Sequence, residues 1–495
     1  MKSNSFEKIC SKAILILTII LFGWLFVNSF VYSSSVYYKL NSFISLIIAF
    51  AVLFSWFLIF KFISSKSELT KKHEILFVIC YFIVIILFEI FTLIKVDLPL
   101  GWDYGVIYND AKFYATHGSL NQAPLRYYLT EFPNNVMLFK IEVYMIKIGK
   151  IFGLNAKLSC RIFNLIIINI AMLMLYFTTR KIFRKKGAIF SLIVSLFFIP
   201  IFLYCPIFYS DTFSLFIGIS IIYMFLQLKE DNKQSIDLIK CILMGILLFL
   251  GIEIKITAII VFVAVFICSI IEKNFKLLFK LSIGLIICMI FVFGFKRLYG
   301  TKYLTEGYKP YPHTHWIMMG LEDKNADNSG RNSIGGYNSK DYELTKKHNY
   351  SSKFNINEYK RRYKELGFTD YIKYLTLKDV NIWSDGMYYS DIALSFNNKN
   401  LNKYEKFIIS EKPIKYFMQG VQFAFLLSLI LGSILKLLMK NNKPDYVRLS
   451  IIGILLFLTF WEARSRYLYN FIPIFILIIT EFNVNITKQL KTKKI

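Results

Sequence analysis

The sequence predicts an all-α polytopic membrane protein with about 12 transmembrane helices, and three observations carry that prediction. Apolar runs of about 20 residues, the length that crosses a hydrocarbon core, recur along the 495-residue chain. Hydrophobic residues make up 56% of it, and its mean hydropathy is +0.50. Its 59 Lys and Arg against 32 Asp and Glu would suggest nucleic acid in a soluble chain, but the bases sit in short clusters between apolar runs. They read as topology signals, and no basic face for nucleic acid survives that assignment.

Lys2, Lys8 and Lys12 precede a first apolar run from Ala13 to Val31. The run is long for a cleaved leader and lacks a small-x-small site near its end, so it reads as an uncleaved helix. Spans are expected at roughly 13–32, 42–63, 74–94, 160–179, 188–207, 211–228, 238–254, 256–272, 276–295, 415–437, 447–462 and 467–481. Both termini then share a side with the basic links, such as Lys61 to Lys72, Arg180 to Lys186 and Lys436 to Lys443. The positive-inside rule makes that side cytoplasmic, in a multi-pass protein of the cell membrane. Residues 134–153 are apolar enough to be counted as a span, but they carry Lys140, Glu142, Lys147 and Lys150. Charges are expensive in a bilayer, so this stretch is expected to lie in the interface plane as an amphipathic helix on the outer surface.

Three regions follow: a transmembrane core over 1–296 that includes an outer loop at 95–158, an extracytoplasmic domain over 297–413, and C-terminal helices with a basic cytoplasmic tail over 414–495. The seven cysteines show no metal-ligand spacing and offer no disulfide framework.

The candidate chemistry gathers at the outer ends of the spans. Asp103 follows a span end and is wedged between Trp102 and Tyr104; it reads as a general base at headgroup level or as a solvated acid beside anchoring aromatics. Asp211, in Tyr209-Ser210-Asp211-Thr212, opens a later span as a helix N-cap, a site acid, or both. Lys255 stands at the next outer turn, free to snorkel, to pair with Glu253, or to meet a lipid phosphate. At a third outer turn lies Trp461-Glu462-Ala463-Arg464-Ser465-Arg466-Tyr467. Glu462 and Arg466 are four apart and would pair across a helical turn, and two arginines between apolar spans suit phosphate oxygens. Asp103 and Asp110, seven apart, would stack on one helix face. His117, His313 and His315 lack a third ligand, so no metal site is indicated.

At this point the chain resembles the GT-C glycosyltransferase superfamily. Many spans, a first outer loop opening with an aspartate, an in-plane helix and a large late outer segment are its arrangement. More narrowly, Trp102 to Asn109, Phe132-Pro133-Asn134-Asn135, Gly335-Gly336-Tyr337-Asn338, Trp383-Ser384-Asp385-Gly386 and Glu462 to Tyr467 look like bacterial dolichyl-phosphate-mannose-protein mannosyltransferase-like proteins associated with decorating cell-wall polymers. Glu131-Phe132 departs from that pattern, which expects a basic or small residue and a tyrosine there.

The resemblance implies a polyprenyl-phosphate sugar donor and an extracytoplasmic glycan, glycolipid or protein acceptor. It also implies an inverting displacement with the outer-loop aspartate as base; Asp103 matches that position and Asp211 the second acidic one. Lys255, Arg464 and Arg466 are assigned here to the donor phosphate, with Trp102, Tyr104, Glu462 and Tyr467 in support. No cofactor is indicated; a divalent metal is possible, since metal use varies across the superfamily. A polysaccharide polymerase or ligase would lean instead on arginines and histidines of the late loop. A lipid-linked-sugar transporter would place ionisable groups near the midplane of related halves.

Overall fold

The computed structural model describes residues 5–32, 40–66, 70–96, 100–121, 123, 125–230, 234–323, 334–395, 400–440 and 443–492. Among them, every regular element is helical, and eight helical stretches are long and apolar enough to cross a membrane. The helices that matter below are α1 (Ser5–Tyr32), α2 (Ser42–Ser65), α3 (Lys71–Lys95), α4 (Trp102–His117), α5 (Val136–Ile151), α6 (Ala156–Ser195), α7 (Leu215–Glu230), α8 (Gln234–Ile254), α9 (Ile259–Ile271), α10 (Phe275–Tyr299), α11 (His313–Met319), α12 (Ser339–Lys347), α13 (Ser352–Trp383), α14 (Lys412–Leu438), α15 (Tyr446–Phe460) and α16 (Ile472–Thr492). The expected spans 238–254, 256–272 and 447–462 appear as α8, as α9 with its preceding turn, and as α15.

The run named α6 is two antiparallel arms. Arg184 interrupts it at φ 62°. A straight helix would hold Thr179 and Ser191 about 18 Å apart at 1.5 Å per residue, yet their hydroxyls meet at 2.9 Å. The chain therefore reverses at Arg184, giving two of the expected spans. The second, expected over 188–207, is regular only to Ser195. Beyond it the Asn164 side-chain amide, on the first arm, donates to the carbonyls of Tyr204, Cys205 and Ile207 at 3.0, 2.9 and 3.2 Å. Irregular backbone at membrane depth needs such internal partners, and the chain is buried from Pro200 to Ile207.

Two expectations gain detail. The 134–153 stretch is a helix of 16 residues, α5, and is not one of the span-length helices. It packs along α4 and α6 and divides its charges, with Lys147 and Lys150 outward and two inward. Lys140 is buried against the rings of Tyr114, Tyr144 and Tyr299, and Glu142 is fully buried. It exposes Lys147 and Lys150 together with Tyr144, Ile148, Ile151 and then Phe152. Second, the polar block over 297–413 is not packed apart from the bundle. The end of α13 runs into it, where Trp383 is fully buried between Phe22 of α1 and Phe475 of α16, at ring distances of 5.2 and 6.0 Å. Gly386 passes so close to Met418 of α14 that a Cβ would collide with that backbone.

Candidate functional site

Four turns distant in sequence meet at one end of the bundle: the start of α4, the turn before α7, the turn between α8 and α9, and the segment joining α15 to α16. The first opens at Trp102 with φ 37°, a conformation bulky residues avoid. Gly105 packs so tightly on the Leu100 backbone that a Cβ would lie 2.9 Å from it. This tight entry sets Asp103 in the first turn of α4, half-exposed, where it accepts a hydrogen bond from Tyr209 Oη at 3.3 Å. A carboxylate there also faces the positive end of the helix dipole. Trp102 stands edge-on to Tyr104 and to Tyr209, both at 5.1 Å, and Tyr104 is buried against Phe208.

Asp211 is fully buried and is not a helix cap. Thr212 does that work: its Oγ1 accepts from the Tyr209 N–H at 3.2 Å. The Asp211 carboxylate instead holds two cations. Oδ1 pairs with Lys255 Nζ, and Oδ2 faces Arg466 Nη1 at 3.5 Å. Lys255 thus neither snorkels nor pairs with Glu253, whose buried Oε1 has no partner. Its ammonium lies 4.3 Å from the Tyr467 ring centroid. The Arg466 guanidinium sits in an aromatic box, 4.6 Å from Trp102, 5.2 Å from Tyr209 and 5.1 Å from Tyr467. Rings give a desolvated cation an attractive face without neutralising it.

The expected pairing of Glu462 with Arg466 does not form. Trp461 and Arg464 are extended, and helical backbone resumes only at Ser465, so no helical turn spans the two. Glu462 instead accepts from Tyr467 Oη at 2.7 Å and lies 4.0 Å from Arg464, which donates to Tyr389 Oη at 2.7 Å. The extended segment is clamped from outside. Glu462 N–H donates to Trp316 O at 2.8 Å and Ala463 N–H to Gly335 O at 3.0 Å. Lys378, fully buried, donates to the carbonyls of Gly320, Thr459 and Trp461 and so caps the end of α15.

All nine singled-out residues, Trp102, Asp103, Tyr104, Asp211, Lys255, Glu462, Arg464, Arg466 and Tyr467, are therefore brought into one neighbourhood. Asp110 is not. It is 2% exposed, its Oδ2 has no partner, and burial alone pushes its carboxyl up to about 6. The histidines serve locally: His117 bonds its own helix at Phe113 O, and buried His315 bonds Thr345 Oγ1. Among the described residues no three His, Cys, Asp or Glu side chains group as metal ligands.

Sequence reasoning missed Tyr209, Tyr389, Lys378 and Asp385. Tyr209 directly precedes the Ser210-Asp211 pair, and that adjacency was its signal. Asp385 lies in the Trp383 to Gly386 motif; its carboxylate accepts from Ser465 Oγ at 2.5 Å and from the N–H groups of Met387 and Tyr389. It anchors the segment that carries Arg464 and Arg466. Tyr389 and Lys378 had no signal in one sequence.

Chemically, two cationic donors share one buried carboxylate in a ring-lined place, and donors of that kind suit an anionic oxygen. Beside it, half-exposed Asp103 is placed to take a proton from an entering group.

A family model described as "conserved hypothetical integral membrane protein" matches residues 6–488, and the chain belongs to that family. No curated protein and no solved structure matches it.

Proposed function

We propose that this protein is a glycosyltransferase of the cell membrane, moving a sugar from a polyprenyl-phosphate-linked donor to an extracytoplasmic acceptor. The observation that carries this reading is the Asp211 carboxylate shared by Lys255 and Arg466, one tyrosine away from Asp103. The site end of the bundle faces outward and the basic links face the cytoplasm, with both termini there. The donor's lipid tail enters sideways between helices.

A glycosyl phosphate already carries a good leaving group. The acceptor hydroxyl forms its bond to the anomeric carbon as the bond from that carbon to the phosphate oxygen breaks. The hydroxyl proton goes to Asp103, and the electron pair leaves on the phosphate. Lys255 and Arg466, joined by Arg464, stabilise that departing charge, which fixed cations do best in a water-poor place. Trp102 and Tyr104 wall the base; Glu462 and Tyr467 hold the arginines in position. One turnover inverts the anomeric centre.

The test is transfer of labelled hexose from polyprenyl-phosphate hexose by the purified protein in nanodiscs. Wild type transfers. Arg466→Ala and Lys255→Ala each remove a charged partner worth about 1.5–3 kcal/mol, a roughly 10- to 150-fold weaker use of the donor. Normal donor use by both variants, or an inert wild type, overturns the reading.

A further inference from the structure

The charged group is bordered by a run of aromatic rings that the transfer chemistry leaves without a task. Phe132 precedes the turn into α5, Trp316 lies on α11, Tyr337 precedes α12 and Tyr342 lies on it. Phe132 and Trp316 are nearly parallel at 6.1 Å and 23°. Trp316 meets Tyr342 at 5.8 Å, and Tyr342 meets Tyr337 at 5.2 Å. Behind this run Tyr128, Tyr311 and His315 are buried, but Phe132, Trp316 and Tyr342 stay half-exposed and Tyr337 is 58% exposed. Four adjoining rings left partly open are not a closed core. Each open ring face forgoes burial that would otherwise stabilise the fold.

The wall has a fixed place relative to the charges. Tyr209 senses both Asp103 and Asp211. Tyr342 and Tyr337 also lie within reach of Asp103: burial raises both hydroxyls first and the Asp103 charge raises them further, while Arg464 acts on Tyr337 and Glu462 on Tyr342. Tyr128, buried behind the wall, packs its ring 4.7 Å from Phe132, and Tyr209 bonds Asp103, so the wall adjoins the charged group on the Asp103 side and through Glu462. Its attachment is rigid, because the Trp316 and Gly335 carbonyls are bonded to the segment that bears Arg464 and Arg466. Gly335 is at φ 72° with Lys378 against it, so only glycine fits that junction.

We propose that Phe132, Trp316, Tyr342 and Tyr337 form the acceptor subsite, and that the acceptor presents a pyranose ring, as a glycan or glycolipid does, rather than a peptide hydroxyl. The inference rests on the transfer reading: with the donor phosphate at Lys255 and Arg466, the acceptor hydroxyl must reach Asp103, and the wall is the half-exposed aromatic surface that adjoins it. A pyranose offers an apolar C–H face with hydroxyls round its rim. That shape fits flat rings bordered by a carboxylate, whereas an extended peptide would need backbone hydrogen-bonding edges.

The test measures binding without turnover, by saturation-transfer NMR on the full-length protein in nanodiscs. The probes are a β-linked N-acetylglucosamine trisaccharide, an α-linked glucose trisaccharide, and a Ser/Thr hexapeptide. At least one trisaccharide should receive saturation at its ring C–H protons and the peptide none. Tyr337→Ala should weaken that binding roughly 3- to 10-fold, the range of a single aromatic contact. Tyr337→Phe should keep it. Absence of trisaccharide binding, unchanged binding in Tyr337→Ala, or preference for the peptide overturns the subsite. These results are separate from the transfer reading. Binding that persists while Arg466→Ala and Lys255→Ala use donor normally removes the transferase and leaves a saccharide site. Absent binding with donor use lost in those variants removes the subsite alone.

Discussion

Helix α15 joins two buried charge clusters of opposite character. At its start, Lys436 and Arg448 face Asp445 and Glu481. Arg448 also donates from Nε to Ser433 Oγ at 2.7 Å, and Asp445 accepts the Arg448 N–H as the N-cap of α15. Two cations meet two carboxylates, the arginine is fully buried, and one member doubles as a helix cap. Past the other end of α15, Lys255 and Arg466 share the single carboxylate of Asp211, with aromatic faces around them and half-exposed Asp103 alongside. Buried charge alone does not distinguish these places. Setting does: the first cluster pairs cations and carboxylates across packed helices, and the second lines its cations with aromatic faces beside half-exposed Asp103.

Breaking the balanced cluster should give the largest effect on stability. Arg448→Met leaves two carboxylates around one lysine, and removing one partner from a buried network costs about 3–5 kcal/mol. Thermal melting of the purified protein should fall well below wild type. Melting within a degree or two of wild type would mean that the cluster does not hold the fold.

Arg466→Met should do less to stability, because Asp211 keeps Lys255; about 1–3 kcal/mol is expected for the lost charged contact. If Arg466→Met melted as low as Arg448→Met, the two clusters would be equivalent and the contrast drawn between them would fail.

The smallest effect concerns Asp110. Its folded carboxyl titrates near 6 against an ordinary 3.8, so the folded state holds a proton that the unfolded state has released. The favourable contribution is full below about 4, and it is lost as pH rises towards 6. Asp110→Asn should therefore match wild type at pH 4 and melt higher at pH 7, with the difference opening between about pH 4 and 6. A melting difference that does not change with pH would place the cause elsewhere.

The helix bundle was legible because hydropathy is a local property, carried by runs such as Ala13 to Val31. The break after Ser195 was not, since it depends on the Asn164 amide reaching carbonyls some forty residues on. The burial of Trp383 was hidden because its apolar neighbourhood lies inside a block that is polar on average. Each charged member of the candidate site was visible as a residue at a span end, and shared topology brought those ends together. Its partner was not visible: Asp211 could be a cap, and Lys255 could pair with Glu253, until the fold brought Arg466 across 255 residues. Asp103 and Asp110 look alike on paper. Packing of α4 opens one and closes the other.

Single-turnover transfer from polyprenyl-phosphate hexose, comparing Asp103→Asn with wild type in nanodiscs, reads whether Asp103 takes the acceptor's proton while the cations hold the phosphate. The substitution keeps size and hydrogen bonding, but the amide cannot take up a proton near neutral pH. The account predicts a rate lower by about 10²–10⁴-fold, with binding of bare polyprenyl phosphate unchanged. A near-wild-type rate would contradict it.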